Sequence, residues 1–304
     1  MSRVAALAPI LFLSLTFVRG QSDSENEFKL SARAELVLLD VSVKDAKGGF
    51  VSNLKKENFQ VYENGKLQNV SQFGKEDTPI TAGLVLDDSR SMSPKRGEVI
   101  NSALAFIDAS NPRDEMFVTH FNDRVRHGLP PGTPFSDDPE SLRNALWNNP
   151  AEGMTALYDG ILDAMHQLEL GKQDKKSLVV ISDGGDNASK HTFKDVLTAV
   201  QATRATIYTV GVFDSEDPDR NPRLLHRLAA ISGGISYIPQ RLDELQEICR
   251  GIAKDIRNRY SIGYVPVRVD DKSALRTIRV SITDAGNQKF IVHARTSYLL
   301  PARQ

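Results

Sequence analysis

Residues 82–92 read Ala82-Gly83-Leu84-Val85-Leu86-Asp87-Asp88-Ser89-Arg90-Ser91-Met92, and residues 178–185 read Leu178-Val179-Val180-Ile181-Ser182-Asp183-Gly184-Gly185. Each is a short apolar run that empties into acids and hydroxyls, the pattern of a buried strand ending in oxygen donors. Between them, Gly153-Met154-Thr155-Ala156-Leu157-Tyr158-Asp159-Gly160 reads as a loop entering a helix and offers a third hydroxyl. In an open α/β sheet, ligands bind in the crevice beyond the carboxyl ends of the strands, where Asp87 and Asp183 fall. Carboxylates and hydroxyls gathered there are hard donors, better suited to a hard divalent cation such as magnesium than to zinc.

Outward from these two runs the chain alternates strand and helix. Strands are expected near 81–88, 115–122, 124–129, 177–183, 205–213 and 235–239, with helices near 94–110, 138–148, 155–170, 190–203, 220–231 and 241–258. That alternation predicts an α/β fold, a doubly wound, mainly parallel sheet. Residues 117–121 and 124–128 are joined only by Asn122-Asp123, so they form a hairpin and one edge strand runs antiparallel. Ser93-Pro94 predicts a helix opening, a capping hydroxyl followed by proline at the first helical position.

Both flanks read differently. Val37, Leu39, Val41 and Val43 alternate with polar residues, and Phe59-Gln60-Val61-Tyr62 faces Leu67-Gln68-Asn69-Val70 across an Asn64-Gly65 turn. After Tyr260 the same style returns, with Ile278, Val280 and Ile282 on alternate positions, a turn at 284–287, then Phe290, Val292 and Ala294. Neither flank has enough strands for a core of its own. The expected organisation is therefore an α/β domain over 78–259 inserted into a small β module built from 28–77 and 260–304.

The order Asp87, Ser89, Ser91, then Thr155, then Asp183 resembles the metal-ion-dependent adhesion site of the von Willebrand factor A family, whose first element is Asp-x-Ser-x-Ser. The resemblance covers about 180 residues. It implies a Rossmann-like fold and a metal held by Asp87, Ser89, Ser91, Thr155 and Asp183. It also implies a partner carboxylate filling the open coordination position, with the threonine contact tracking the higher-affinity state. The flanks more loosely resemble secreted acidobacterial proteins carrying this domain. One position departs from the family: glycine is common between the two serines, and here it is Arg90. A long cation there either repels a second cation or helps to hold an acidic partner.

Composition narrows the remaining classes. The formal charge of the chain is −1, so nothing recruits nucleic acid by bulk charge. Met1-Ser2-Arg3 followed by the apolar stretch 4–18 and Arg19-Gly20 reads as a secretory signal over 1–20, with a flexible polar lead over 21–27. No later segment is long and apolar enough to span a membrane. The mature chain is thus expected in a secreted, periplasmic or cell-surface setting. Cys249 is the only cysteine and falls on the apolar stripe of a helix, so an inert packed thiol is expected. Asn69 and Asn187 open sequons, which matter only in a eukaryotic secretory pathway.

The six histidines lack metal-ligand spacing, Asp88 and Asp186 read as solvated loop acids, and Asp159 as a local hydrogen-bonding residue. Lys172, Lys175, Lys176 and the cluster Arg257 to Arg259 read as solvated charges. These readings point to a non-enzymatic, magnesium-dependent (or manganese- or calcium-dependent) protein-binding module. The rivals are an assembly protein whose metal site is passive or degenerate, and a magnesium phosphohydrolase. The last needs a second acid where Ser89 stands.

Overall fold

The structure is a computed structural model that describes residues 36–147, 150–213, 220–266, 274–283 and 288–300. The segments read as a signal and a polar lead, and the turn expected at 284–287, lie outside the described residues. The strands before the α/β region are β1 (Val37–Asp45), β2 (Phe59–Glu63), β3 (Lys66–Gln68) and β4 (Val70–Gly74). Then follow β5 (Ile80–Asp87), α1 (Arg96–Ala109), β6 (Glu115–Phe121), β7 (Val125–His127), α2 (Pro139–Trp147), α3 (Leu157–Glu169) and β8 (Lys175–Ser182). Next come α4 (Phe193–Ala202), β9 (Thr206–Gly211), α5 (Pro222–Ser232), β10 (Ser236–Tyr237) and α6 (Leu245–Arg257). The chain closes with β11 (Tyr260–Tyr264), β12 (Leu275–Ile282), β13 (Phe290–His293) and β14 (Ser297–Leu299).

The central sheet has the order β10-β9-β8-β5-β6-β7, parallel throughout except for β7, which runs antiparallel to β6 at the edge. All eight residues of β5 are buried, because helices cover both faces of the strand. From β5 the chain moves to β6 on one side and later returns to β8 on the other. The strand order therefore reverses at the carboxyl ends of β5 and β8, where an open α/β sheet leaves a crevice.

Gly83 sits at the centre of β5, where a Cβ would run into the Phe117 ring and the Leu178 methyl. Gly83→Ala is therefore expected to destabilise by about 1–3 kcal/mol through overpacking. Denaturant unfolding reads this directly, and an unchanged midpoint would mean that Phe117 moves aside freely.

Helix boundaries are narrower than the sequence suggests. Residues 90–95 form a 3₁₀ turn containing Pro94, and α1 begins at Arg96, so the predicted opening at Ser93-Pro94 is displaced. The cause lies in the loop: Met92 N–H donates to Ser89 O at 3.0 Å, which tightens the chain right after the strand. By contrast, α4 starts with a reciprocal cap between Thr192 and Asp195, and α5 with Asn221 ahead of Pro222.

The flanking strands form two four-stranded antiparallel sheets, β13-β1-β11-β4 and β14-β12-β2-β3, each drawing on both ends of the chain. Asn64 (φ 47°) and Gly65 (φ 77°) make the tight turn between β2 and β3. One apolar cluster joins the two sheets, with Leu39, Val41 and Val43 of β1, Phe59 and Val61 of β2, Tyr260 and Ile262 of β11 and Ile278 of β12.

The β sheets meet the α/β region around Asp255, which is fully buried near the end of α6. Its carboxylate accepts Ser42 Oγ and Tyr208 Oη at 2.6 Å each and Arg259 Nη2 at 3.0 Å. Burial pushes this carboxyl up, but Arg259, Lys44 and the two hydroxyls outweigh it and hold the group below the ordinary carboxylate range. Arg259, expected as a solvated charge, is instead 3% exposed and also donates to Asp40 O at 3.1 Å. Lys176 is likewise half-buried, donating to the carbonyls of Glu169 and Gly171 where α3 ends.

Candidate metal and partner site

Asp87 is the last residue of β5, and Ser182 the last of β8, the strand beside it. Asp87 Oδ1 accepts the Ser89 N–H at 2.9 Å, closing a local turn that folds the two serines back over the strand end. Its other oxygen accepts Ser182 Oγ at 2.6 Å. Ser89 Oγ and Ser91 Oγ lie 3.1 Å apart, and Ser91 Oγ donates to Asp183 Oδ2 at 2.6 Å. Asp87, Ser89, Ser91 and Asp183 thus form one connected group from two strand ends. Asp87, Ser89 and Asp183 are at most 2% exposed, whereas Ser91 is half-buried.

The turn after β8 requires glycine. Gly184 has φ 78°, and a Cβ there would lie 2.7 Å from the Asn221 carbonyl oxygen. Gly184 N–H donates to Ser182 Oγ at 2.9 Å, and Gly185 N–H to Asp183 Oδ1 at 3.0 Å, so both acceptors are held.

Thr155 is buried on the loop that leads into α3, and its backbone is held by the loop that follows β8. Its N–H donates to Asn187 Oδ1 at 2.9 Å, and its carbonyl accepts the N–H groups of Asn187 and Ala188. Two residues earlier, the Gly153 carbonyl accepts Arg90 N–H at 3.3 Å, and Glu152 N–H donates to Asp88 O at 2.8 Å. The threonine loop is therefore tied to both strand-end loops. Among the described residues, the Thr155 hydroxyl makes no hydrogen bond with the other four side chains.

Burial first, then the neighbouring Asp183 charge, raises the Asp87 carboxyl to about 7, against the hydrogen bonds from Ser182 and Ser89 that lower it. Two buried carboxylates side by side repel each other, and a cation bound among them would offset that repulsion. The donor set is all oxygen, two carboxylates and hydroxyls, which fits a hard divalent ion. Among the described residues no group of three or more His, Cys, Asp or Glu forms a metal cluster, so hydroxyls are needed to complete any ligand set here.

Asp88, read as a solvated acid, is 4% exposed. Arg96 of α1 donates to its Oδ1, and His120 Nδ1 lies 2.7 Å from its Oδ2, while His120 Nε2–H donates to Ala145 O at 2.8 Å. Asp88 therefore faces Arg96 of α1 and His120 of β6. Asp186 is half-buried rather than solvated: it accepts Tyr158 N–H and Ser189 Oγ, and burial raises its carboxyl. Asp159, expected to bond locally, instead accepts the Lys190 and His191 N–H groups and lies 2.8 Å from His191 Nδ1, on a loop distant in sequence. Cys249 is buried, and burial pushes its thiol up to about 12, the inert state expected of it.

Asn122, Ser182 and Asn187 support the site but do not stand out in the sequence. The Asn122 backbone carbonyl accepts Ala156 N–H at 2.6 Å, and the Asn187 side chain holds Thr155. Their only signal is position, a polar residue just beyond a strand end.

Comparison with known proteins places residues 83–250, more than half of the chain, under the model of the von Willebrand factor type A domain. An uncharacterised protein of Synechocystis sp. is 28% identical over 175 residues, which make up 53% of this chain. The match spans only 38% of that relative's length. Among solved structures, a von Willebrand factor type A protein from Catenulispora acidiphila superposes with TM-score 0.54 at 13% identity, over 89% of this chain and 75% of that one. Proximal thread matrix protein 1 of the mussel byssus, with a zinc-occupied adhesion-site motif, gives TM-score 0.50 at 16% identity, over 65% and 50%. At these identities the two structures speak for the fold.

Proposed function

Because the chain belongs to the von Willebrand factor type A domain family, we propose that it is a secreted, divalent-cation-dependent protein-binding module whose cation bridges to an acidic residue of a partner protein. The observation that supports this reading best is the connected group of Asp87, Ser89, Ser91 and Asp183, with the Thr155 loop tied beside it. The zinc-occupied motif of the mussel protein is in keeping with it. Magnesium is the expected ion, with manganese or calcium as substitutes.

In this reading Asp87 and Asp183 balance the charge of the ion, and Ser89, Ser91 and Thr155 add neutral oxygens that donate little charge. A bound divalent cation supplies an electrophilic position for a carboxylate oxygen. Ser182 and the Ser89 N–H hold both oxygens of Asp87, which fixes the orientation of the carboxylate before any ligand arrives. The Asn187 side chain and the backbone of 187–188 set the position of Thr155. The 1–20 segment supports export, and among the described residues no helix is long and apolar enough to cross a membrane.

The test is calorimetric titration of the full chain with magnesium and manganese across pH. Ionised Asp87 is the binding form, and its carboxyl sits at about 7, so protons compete below that value. Affinity is expected to fall by about tenfold per pH unit as pH drops below about 7, with up to one proton released per ion bound. Saturable binding with a flat pH profile would remove Asp87 from the ligand set. No binding at pH 8 would overturn the reading.

A further inference from the structure

Arg90 is exposed between two serines whose hydroxyls point into the site, while Ser89 beside it is 1% exposed. Its N–H donates to the Gly153 carbonyl, which pins its backbone at the mouth next to the Thr155 loop. Among the described residues its guanidinium makes no hydrogen bond or ion pair. The acids nearest along the backbone do not take it. Asp88 faces Arg96 and His120, and among the described residues no ion pair links Glu152 to Arg90.

The charge balance gives this free cation a role. Asp87 and Asp183 carry two negative charges, which a single divalent ion cancels. An arriving carboxylate then adds one negative charge, and Arg90, adjacent in the chain to both serines, carries an exposed positive charge that attracts it, in addition to the buried Lys95 that donates to Val212 O. Before that carboxylate arrives, the same guanidinium only repels the ion.

Resting on the function proposed above, we propose that Arg90 couples the two ligands: it weakens the site for the cation alone and strengthens it for cation and carboxylate together. The site then holds its ion firmly only when a carboxylate-bearing partner is present, and by linkage each ligand raises the affinity of the other. A guanidinium exposed to solvent acts through a high effective dielectric, so the coupling is modest.

The experiment is manganese calorimetry on the full chain and on the variants Arg90→Gly and Arg90→Lys, in chloride and in acetate at equal ionic strength, with acetate as the carboxylate probe. Arg90→Gly is expected to bind manganese alone tighter, by on the order of threefold to tenfold, and to lose a similar factor of the tightening by acetate. Arg90→Lys keeps the native pattern. Equal manganese affinity and equal acetate effect in wild type and Arg90→Gly would overturn the coupling while leaving the metal site standing. Absence of manganese binding in both would overturn the proposed function and the coupling with it.

Discussion

In chelator at pH 8, Asp87→Asn is expected to melt roughly 5–10 °C above the native chain, and to show no further stabilisation by magnesium or manganese. Loss of binding with gain of stability follows from the same carboxylate. Burial and the Asp183 charge raise Asp87 to about 7, so its ionised form is disfavoured in the folded state. A group raised in this way stabilises the fold fully below its unfolded value, near 4, and that stability is lost as pH rises through about 7. The loss amounts to roughly 4 kcal/mol by pH 8 for the metal-free chain, at about 1.4 kcal/mol per tenfold. Asparagine cannot ionise, keeps the shape, and still accepts the Ser89 N–H. Part of the gain is offset by a weaker contact with Ser182. At pH 5 the native carboxyl is mostly protonated, and the difference between the two proteins should shrink. A melting temperature lower than native at pH 8 would mean that the Asp87 charge is already compensated in the metal-free fold.

Asp255→Ala is expected to destabilise by about 3–5 kcal/mol, the range for breaking a buried ion pair from one side. The substitution leaves Arg259, 3% exposed, without its carboxylate, and removes the acceptor for Ser42 and Tyr208. The damage falls where β1 of the outer sheets meets α6 and β9. Asp255 is held below the ordinary carboxylate range, so its contribution is present above about pH 4 and is lost as pH falls further. Replacing both partners, Asp255→Leu with Arg259→Met, should recover much of the loss, because no charge is then left buried alone. Chemical unfolding of the three variants measures this, and a cost below about 1 kcal/mol for Asp255→Ala would show that water reaches Arg259 in the variant.

The parallel sheet was legible because its two central strands carry short, wholly apolar runs that end abruptly in acids and hydroxyls. Residues 82–86 and 178–181 are buried throughout, and the two-residue link Asn122-Asp123 leaves β7 no direction except antiparallel. Spacing along the sequence also anticipated that Asp87, Ser89, Ser91 and Asp183 would meet, since adjacent strand ends bring them there. Less was legible where partners are distant. Asp88 and Arg259 look like ordinary surface charges until β6, α1, β1 and β9 close around them. Strands β4 and β14 are short, and only pairing with β11 and β12 defines them. The 3₁₀ turn at 90–95 replaced a predicted cap because the local rule for Ser-Pro competes with the Asp87 turn just before it.

Manganese diffused into crystals of the full chain at pH 8, located by anomalous scattering, tests metal dependence most directly. One peak is expected, bounded by the oxygens of Asp87, Ser89, Ser91, Thr155 and Asp183, and absent from Asp87→Asn crystals treated alike. No peak at that place under saturating manganese, or a peak that survives in Asp87→Asn, would contradict a function built on this site.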